Sequence, residues 1–306
     1  MNLYAQRQGA RDPSLALARA GLCPRRTAVT VGFEAGGCIL AQQSDVPLLV
    51  ALDIDGTLVD ENRVVPPVTK RAVAAAREAG HHLVLATGRS IVGMLPVARA
   101  LSITSGWGVA SSGAVIVRLE PGTRSGYVIE DVQTFDVGPM ARLIHEAAPH
   151  LMIAVEELGW GYCTNTQLPE GTLGGPQRVV GPEELCGRPT TRAIVRGPHV
   201  LGLVGALRAL GLTVTRSGPD SLDVTAFGLS KAIALEKVRE RLGIGREDTI
   251  AVGDDYNDID MLRWAARSVA MGHAPADLLD TAAEVTGTIQ EHGVVDVLKS
   301  ITPDSH

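Results

Sequence analysis

Pro47–Leu58 reads PLLVALDIDGTL, and this stretch decides the fold. Its first part, Pro47–Ile54, is short, apolar throughout and closed by an Asp-Gly step. A run without polar alternation suits a parallel strand covered on both faces. Downstream, Pro67–Ala79 puts Val68, Ala72, Val73 and Ala76 on one helical face, and Gly80 supplies the stop. His82–Ala86 is a second buried strand, and Thr87-Gly88-Arg89-Ser90 turns into another helix. Trp107–Ala110 makes a third strand. Strand, helix, strand, helix, strand predicts an α/β fold with a doubly wound parallel sheet.

Beyond that core the texture changes. From about Ala114 to Phe227 the segments are shorter and rich in turns, with several Gly and Pro residues between Gly171 and Gly181. Leu212–Arg216 and Ser221–Thr225 alternate apolar and polar side chains around Ser217-Gly218-Pro219-Asp220, which predicts a hairpin. The first pattern then returns. Ser230–Leu242 is helical with Gly243 behind it, and Thr249–Val252 is an apolar strand ending at Gly-Asp-Asp. Asp258–Ala266 is helical, and Arg267–Met271 is a short strand. The expected layout is therefore a Rossmann-like core over 47–113 and 228–306, interrupted by a second α/β domain over 114–227. Residues 1–46 are expected to be a flexible extension, with Thr30–Phe33 as a short apolar piece outside the core.

Composition narrows the function classes. A chain of 306 residues suits one large or two ordinary domains. Aromatic residues make up only 3%, so Leu, Val, Ile and Ala must fill the core. A net charge of −6, with no Lys/Arg-rich run, argues against nucleic acid and anionic membranes as partners. No stretch approaches the ~20 apolar residues needed to span a bilayer. The N-terminus carries Arg7, Arg11, Arg19, Arg25 and Arg26 but lacks the apolar core of a secretory signal. Cys23, Cys38, Cys163 and Cys186 form no C-x-x-C pair and read as reduced thiols of a cytoplasmic protein.

Three strands of the core end in polar residues of unusual kind: Asp53-Ile54-Asp55-Gly56-Thr57, Thr87-Gly88-Arg89, and Gly253-Asp254-Asp255-Tyr256-Asn257-Asp258. Ligands of open α/β sheets bind beyond the carboxyl ends of the strands, so these groups should converge on one crevice. Asp53 and Asp55, two apart, share a strand face. Adding Asp254 and Asp258 crowds like charges, which a hard divalent cation with oxygen ligands relieves. Magnesium is the expected ion. Lys231 follows Ser230, a good N-cap, at a helix start where the macrodipole disfavours a cation. Its charge makes sense if it faces an anion held at the same place.

These residues carry a family resemblance. Asp53–Leu58 (DIDGTL) resembles motif one of the haloacid dehalogenase (HAD) superfamily, and Ala86–Arg89 (ATGR) resembles motif two. Lys231 in SKAIAL resembles motif three, and Gly253–Asp258 (GDDYND) resembles motif four. Their order is similar to that of the Cof-type subfamily, whose large cap is inserted between motifs two and three. The resemblance runs from Pro47 to about Leu298.

It implies a magnesium-dependent phosphatase that hydrolyses a small phosphorylated metabolite, a sugar phosphate or similar, through an aspartyl-phosphate. In that scheme Asp53 is the nucleophile and Asp55 the general acid and base. Thr87 bonds the phosphoryl oxygens, and Lys231 neutralises charge. Gly56, Thr57, Gly88, Arg89 and Asn257 would contact substrate or phosphate. Asp53, the Asp55 carbonyl and Asp254 would bind the metal, with Asp258 supporting its waters. The inserted cap would choose the substrate, and the chain would act as a monomer or weak homodimer. A phosphomutase would use the same residues. A non-catalytic metabolite sensor would need no nucleophile. Three segments depart from the subfamily pattern: Ser112-Gly113-Ala114, Met271-Gly272-His273-Ala274 and Ile289–Val294. His273 and His292 are thus either site residues or plain loop residues.

Overall fold

The computed structural model describes residues 46–60, 62–169 and 172–303. The extension expected over 1–46, apart from Val46, lies outside the described residues, as do Thr30–Phe33, Cys23 and Cys38.

The chain opens with β1 (Leu49–Leu52), α1 (Pro67–Glu78), β2 (His82–Ala86), α2 (Ile91–Ala100), β3 (Gly106–Ala110), β4 (Val115–Leu119) and β5 (Tyr127–Val132). It continues through α3 (Gly138–Ala147), β6 (Met152–Glu157), β7 (Gly161–Thr164), β8 (Gln177–Val179), α4 (Pro182–Leu185), β9 (Ala193–Arg196), α5 (Val204–Ala209), β10 (Leu212–Arg216) and β11 (Ser221–Ala226). It closes with α6 (Lys231–Leu242), β12 (Thr249–Gly253), α7 (Ile259–Trp264), β13 (Arg267–Ala270), α8 (Ala276–Leu279), β14 (Glu284–Val285) and α9 (Gly293–Lys299).

Two sheets result. The larger has the order β14-β13-β12-β1-β2-β3-β4-β5, parallel from β14 to β3 and antiparallel from there to β5. The smaller has the order β10-β11-β9-β6-β7-β8 and is antiparallel except for β7 beside β8. The fold is an α/β core with a parallel sheet and an inserted α/β domain.

The apolar run of β1 explains its central place. Val50 and Leu52 join one apolar cluster with α1, α2 and α9, while Leu49 and Ala51 join another with α6, α7 and α8. Alternate residues thus feed two helical layers, so every position must be apolar. Pro67 sits at the first helical position, where its missing N–H costs nothing. At α6, Ser230 accepts the Ile233 N–H and Gly243 turns left-handed at φ 68°.

The hairpin expected around 217–220 is present, with Leu212 opposite Ala226 and Arg216 opposite Leu222. Two expectations need correction. Val115–Leu119 and Tyr127–Val132, placed by sequence in the inserted domain, belong to the large sheet. The tight turn at Ser111–Gly113 folds β4 straight back on β3, and Val115 and Val117 complete the core apolar cluster. The helix expected from Asp258 starts at Ile259 instead. Asp258 is spent on a capping box with Asp255.

Candidate active site

The carboxyl ends of β1, β2 and β12 lie side by side. The Asp53 N–H donates to the Val252 carbonyl at 3.0 Å, and the Thr87 N–H donates to the Val109 carbonyl at 2.9 Å. Because β2 and β12 leave β1 in opposite directions, a crevice opens where they part. Asp53 stands at its floor.

Lys231 Nζ, fully buried, donates to Asp53 Oδ1 at 2.5 Å and to Asp258 Oδ1 at 2.6 Å. Asp258 Oδ2 accepts the N–H groups of Asp254 and Asp255 at 3.0 and 3.1 Å. Both oxygens of Asp258 are therefore engaged in holding Lys231 and the loop after β12. Asp254 Oδ1 accepts the Thr57 hydroxyl at 3.0 Å. Gly56 has φ 81°, and a Cβ there would lie 2.0 Å from Asp254 Oδ2. Only glycine lets the first loop close on Asp254.

Charge is concentrated here. Burial pushes the Asp53 carboxyl well above its ordinary value; Lys231 opposes this, while Asp258, Asp254 and Asp55 add to it. Burial likewise raises Asp258, against the pull of Lys231. Burial works against the Lys231 ammonium, but Asp258 and Asp53 outweigh it and hold the amine charged. Asp53, Asp254 and Asp258 each bring an oxygen to within 4.8 Å of the others. One ammonium serves these carboxylates, so a hard divalent cation fits the donor set.

Asp55 lies higher, with 56% of its side chain exposed. Arg89 holds it through two of its nitrogens, Nε at 2.7 Å from Oδ2 and Nη2 at 2.5 Å from Oδ1. Arg89 also donates from Nη1 to the Gly93 carbonyl at 3.2 Å. Its own N–H donates to Thr87 Oγ1 at 3.1 Å, which leaves the Thr87 hydroxyl proton available to a ligand. A Cβ on Gly88 would lie 3.2 Å from Asn257 Nδ2, so the second and fourth motifs touch there.

Asp53, Asp55, Gly88, Arg89 and Asn257 share the wall of a cleft of about 340 Å³ with residues of the small sheet. Thr57 is buried beside that cleft rather than lining it, as are Thr87, Lys231 and Asp258. His273 and His292 do not line it either.

Sequence reasoning missed the wall opposite. Arg192 Nη1 donates to Asp223 Oδ2 at 3.0 Å and Nη2 to the Tyr162 hydroxyl at 2.6 Å, all three buried. The turn after β3 reaches up to this group. Ser111 Oγ donates to Glu156 at 2.8 Å, and Ser112 Oγ to Asp223 at 3.2 Å. The available signal was Leu222-Asp223-Val224, a carboxylate between two core-facing residues of one strand. Beside the cleft, α2 meets the loop before β8 backbone to backbone. A Cβ on Gly93 would come 2.9 Å from the Gly174 carbonyl.

Comparison with known proteins extends this geometry. The family model of haloacid dehalogenase-like hydrolases matches residues 50–154 and 203–298. The chain belongs to this family. This HAD-like hydrolase is 27% identical over 263 residues to 5-amino-6-(5-phospho-D-ribitylamino)uracil phosphatase YcsE of Bacillus subtilis, covering 84% of this chain and 97% of that protein. It is 28% identical over 248 residues to the pyridoxal phosphate phosphatase YbhA of Escherichia coli, covering 74% and 88%. A solved haloacid dehalogenase-like hydrolase from Bacteroides thetaiotaomicron matches with TM-score 0.72 at 28% identity, over 84% of this chain and 100% of that one. A HAD subclass IIB sugar phosphatase matches with TM-score 0.71 at 25% identity, over 83% and 98%. Among the described residues no helix of this HAD-like hydrolase is long and apolar enough to cross a membrane.

Proposed function

We propose that this protein is a magnesium-dependent phosphatase. It hydrolyses the phosphomonoester of a small metabolite, a sugar phosphate or similar, through an aspartyl-phosphate on Asp53. The observation that carries this is the Asp53 carboxylate on the cleft floor, bonded to a buried lysine at 2.5 Å and grouped with Asp254.

In the first step an Asp53 oxygen attacks phosphorus as the ester P–O bond breaks, and Asp55 gives the leaving oxygen its proton. In the second, Asp55 takes a proton from water, whose oxygen displaces Asp53 and releases phosphate. Thr87 donates to a phosphoryl oxygen, and Lys231 holds Asp53 in place while offsetting its charge. Asp53, the Asp55 carbonyl and Asp254 would hold magnesium, which supplies charge neutralisation for the phosphoryl group. Asp258 keeps Lys231 and the Asp254 loop in register. Arg89 fixes the Asp55 side chain at the cleft mouth.

The inserted domain, with the small sheet as its frame, acts as a cap that receives the leaving group. The named relatives act on a ribitylaminouracil phosphate, pyridoxal phosphate and sugar phosphates. Cys163 and Cys186 are free thiols, in keeping with a cytoplasmic protein. It works as a monomer or weak homodimer.

The test is phosphate release from a panel of phosphorylated metabolites, with magnesium and with excess chelator. Release should require magnesium and vanish in Asp53→Asn. Full activity in chelator, or in Asp53→Asn, overturns the reading.

A further inference from the structure

The segment Met271-Gly272-His273-Ala274 follows β13 and brings an imidazole behind the acidic cluster. His273 Nε2 lies 3.6 Å from Asp254 Oδ2. On the other side of the ring, Nδ1 accepts the Ile289 N–H at 3.3 Å. That bond occupies the Nδ1 lone pair, so the ring proton sits on Nε2 and faces Asp254.

The ring is well anchored. The Gly272 N–H donates to the Gly287 carbonyl at 3.2 Å. A Cβ on Gly272 would lie 2.8 Å from the Thr286 carbonyl, so the two loops are held backbone to backbone. Asp254 Oδ1 is held by the Thr57 hydroxyl at 3.0 Å, and Gly56 closes on Oδ2. Asp254 is thus gripped from the first motif on both oxygens, and Oδ2 also faces His273. His273 does not line the cleft and so does not read the leaving group. With Nδ1 engaged and Nε2 protonated, it offers no lone pair to a metal.

We infer that His273 is a positioning residue for Asp254. Its Nε2–H fixes the rotation of the carboxylate, so that the group presents one orientation to a divalent cation. This requires the pair to close from 3.6 Å to hydrogen-bond distance. The inference rests on the metal-dependent reading above. Partners that hydrogen-bond a ligating carboxylate are worth about 10- to 100-fold in metal affinity.

The test is binding of Mn²⁺ alone to the full chain, followed by the loss of the free-ion electron paramagnetic resonance signal. Wild type, His273→Ala, His273→Gln and Asp254→Asn are compared, with melting temperatures taken in chelator. His273→Ala should raise the Kd at least about tenfold. His273→Gln, whose amide N–H can reach the same oxygen, should bind within about threefold of wild type. Both should melt with wild type. KM for a small aryl phosphate at saturating Mg²⁺ should not change.

Wild-type affinity in His273→Ala, with hydrolysis still magnesium-dependent, overturns the inference and leaves the phosphatase reading standing. Equal weakening in both His273 variants, with equal loss of melting temperature, also overturns it, since that is the behaviour of a loop brace. If Asp254→Asn binds Mn²⁺ like wild type, both readings fall.

Discussion

Arg89 grips Asp55 with a two-pronged guanidinium, Nε on one carboxylate oxygen and Nη2 on the other, at 2.7 and 2.5 Å. Burial alone would ease the proton off Arg89, but its bond and charge contact with Asp55 outweigh this and raise its pKa. The pair lies at the cleft mouth, where an ion pair adds only about 0–1 kcal/mol to stability. Its value is geometric. Lysine cannot copy the fork. Arg89→Lys should lower kcat/KM about tenfold or more while melting with wild type. Steady-state kinetics and thermal denaturation measure both, and unchanged kinetics would show that the fork is dispensable.

The two aspartates of the first motif should separate by labelling. On the proposed mechanism Asp53→Asn removes the nucleophile, whereas Asp55→Asn removes the proton donor and the base for water. An activated phosphoester needs little protonation of its leaving group. Rapid quench should then find labelled protein for Asp55→Asn and none for Asp53→Asn. Dephosphorylation of Asp55→Asn should slow by about 100- to 10,000-fold. Acid-stable label elsewhere on Asp53→Asn would refute Asp53 as the nucleophile.

Lys231 is a fully buried cation bonded to Asp53 and Asp258. Lys231→Met leaves two buried carboxylates without a counter-charge, a loss of about 3–5 kcal/mol. Denaturant titration should give that loss in chelator and a smaller one in excess Mg²⁺, because the cation partly takes over the missing charge. A variant as stable as wild type in chelator would contradict the electrostatic account of the cluster.

Glu236 on α6 carries a pH dependence. Its carboxylate accepts from Arg239 through Nε and Nη2 at 2.9 Å each, and from Trp264 Nε1 at 2.7 Å. The bond with Arg239, then that with Trp264, lowers its pKa from 4.5 to about 2. A depressed carboxylate stabilises the fold above its unfolded pKa, and that contribution fades as pH falls towards the folded value. Glu236→Gln should therefore melt below wild type at neutral pH and converge with it near pH 2. A constant gap in melting temperature across that range would rule this out. Trp264 fluorescence should change over the same window.

The wall opposite Asp53 should govern choice of substrate. Asp223 Oδ2 would lie 3.4 Å from a Cβ on Gly88, closer to the loop after β2 than its place in the inserted domain suggests. Asp223→Asn keeps the size but removes the charge that balances Arg192. Relative kcat/KM across a panel of phosphoesters should reorder, while a small aryl phosphate changes by less than about threefold. A uniform loss on all substrates would mark Asp223 as a structural support only.

Much of this was legible in Pro47–Leu58 and its counterparts. β1 is apolar at every position, β2 and β12 at every position after their first, and the polar residues that follow mark where the strands end. The hairpin of β10 and β11 was legible because alternation and a Ser-Gly-Pro-Asp turn agree. The allegiance of β4 and β5 was not. It depends on Ser111 and Ser112 taking φ 52° and 55°, a backbone state that serine seldom signals. Arg89 was expected to contact substrate or phosphate; that its fork holds Asp55 was not legible. That choice is made by side-chain rotamers, which no periodicity encodes. Asp223 hid because a single charge in a strand looks like a solvated edge until the facing surface is known, and Arg192 because it stands just before β9.

Asp53 and Lys231 touch although 178 residues separate them along the chain. On one side β1 is completed early, by β2. On the other it waits for β12, which is made only after the whole inserted domain. At about 5–20 residues per second, a ribosome takes about 10–40 s to cover that distance. Through that interval β1 carries an open hydrogen-bonding edge next to an uncompensated carboxylate. Chemical competence is therefore among the last properties the growing chain acquires. The inserted domain, whose strands pair only with one another, can mature while Asp53 still waits for its lysine.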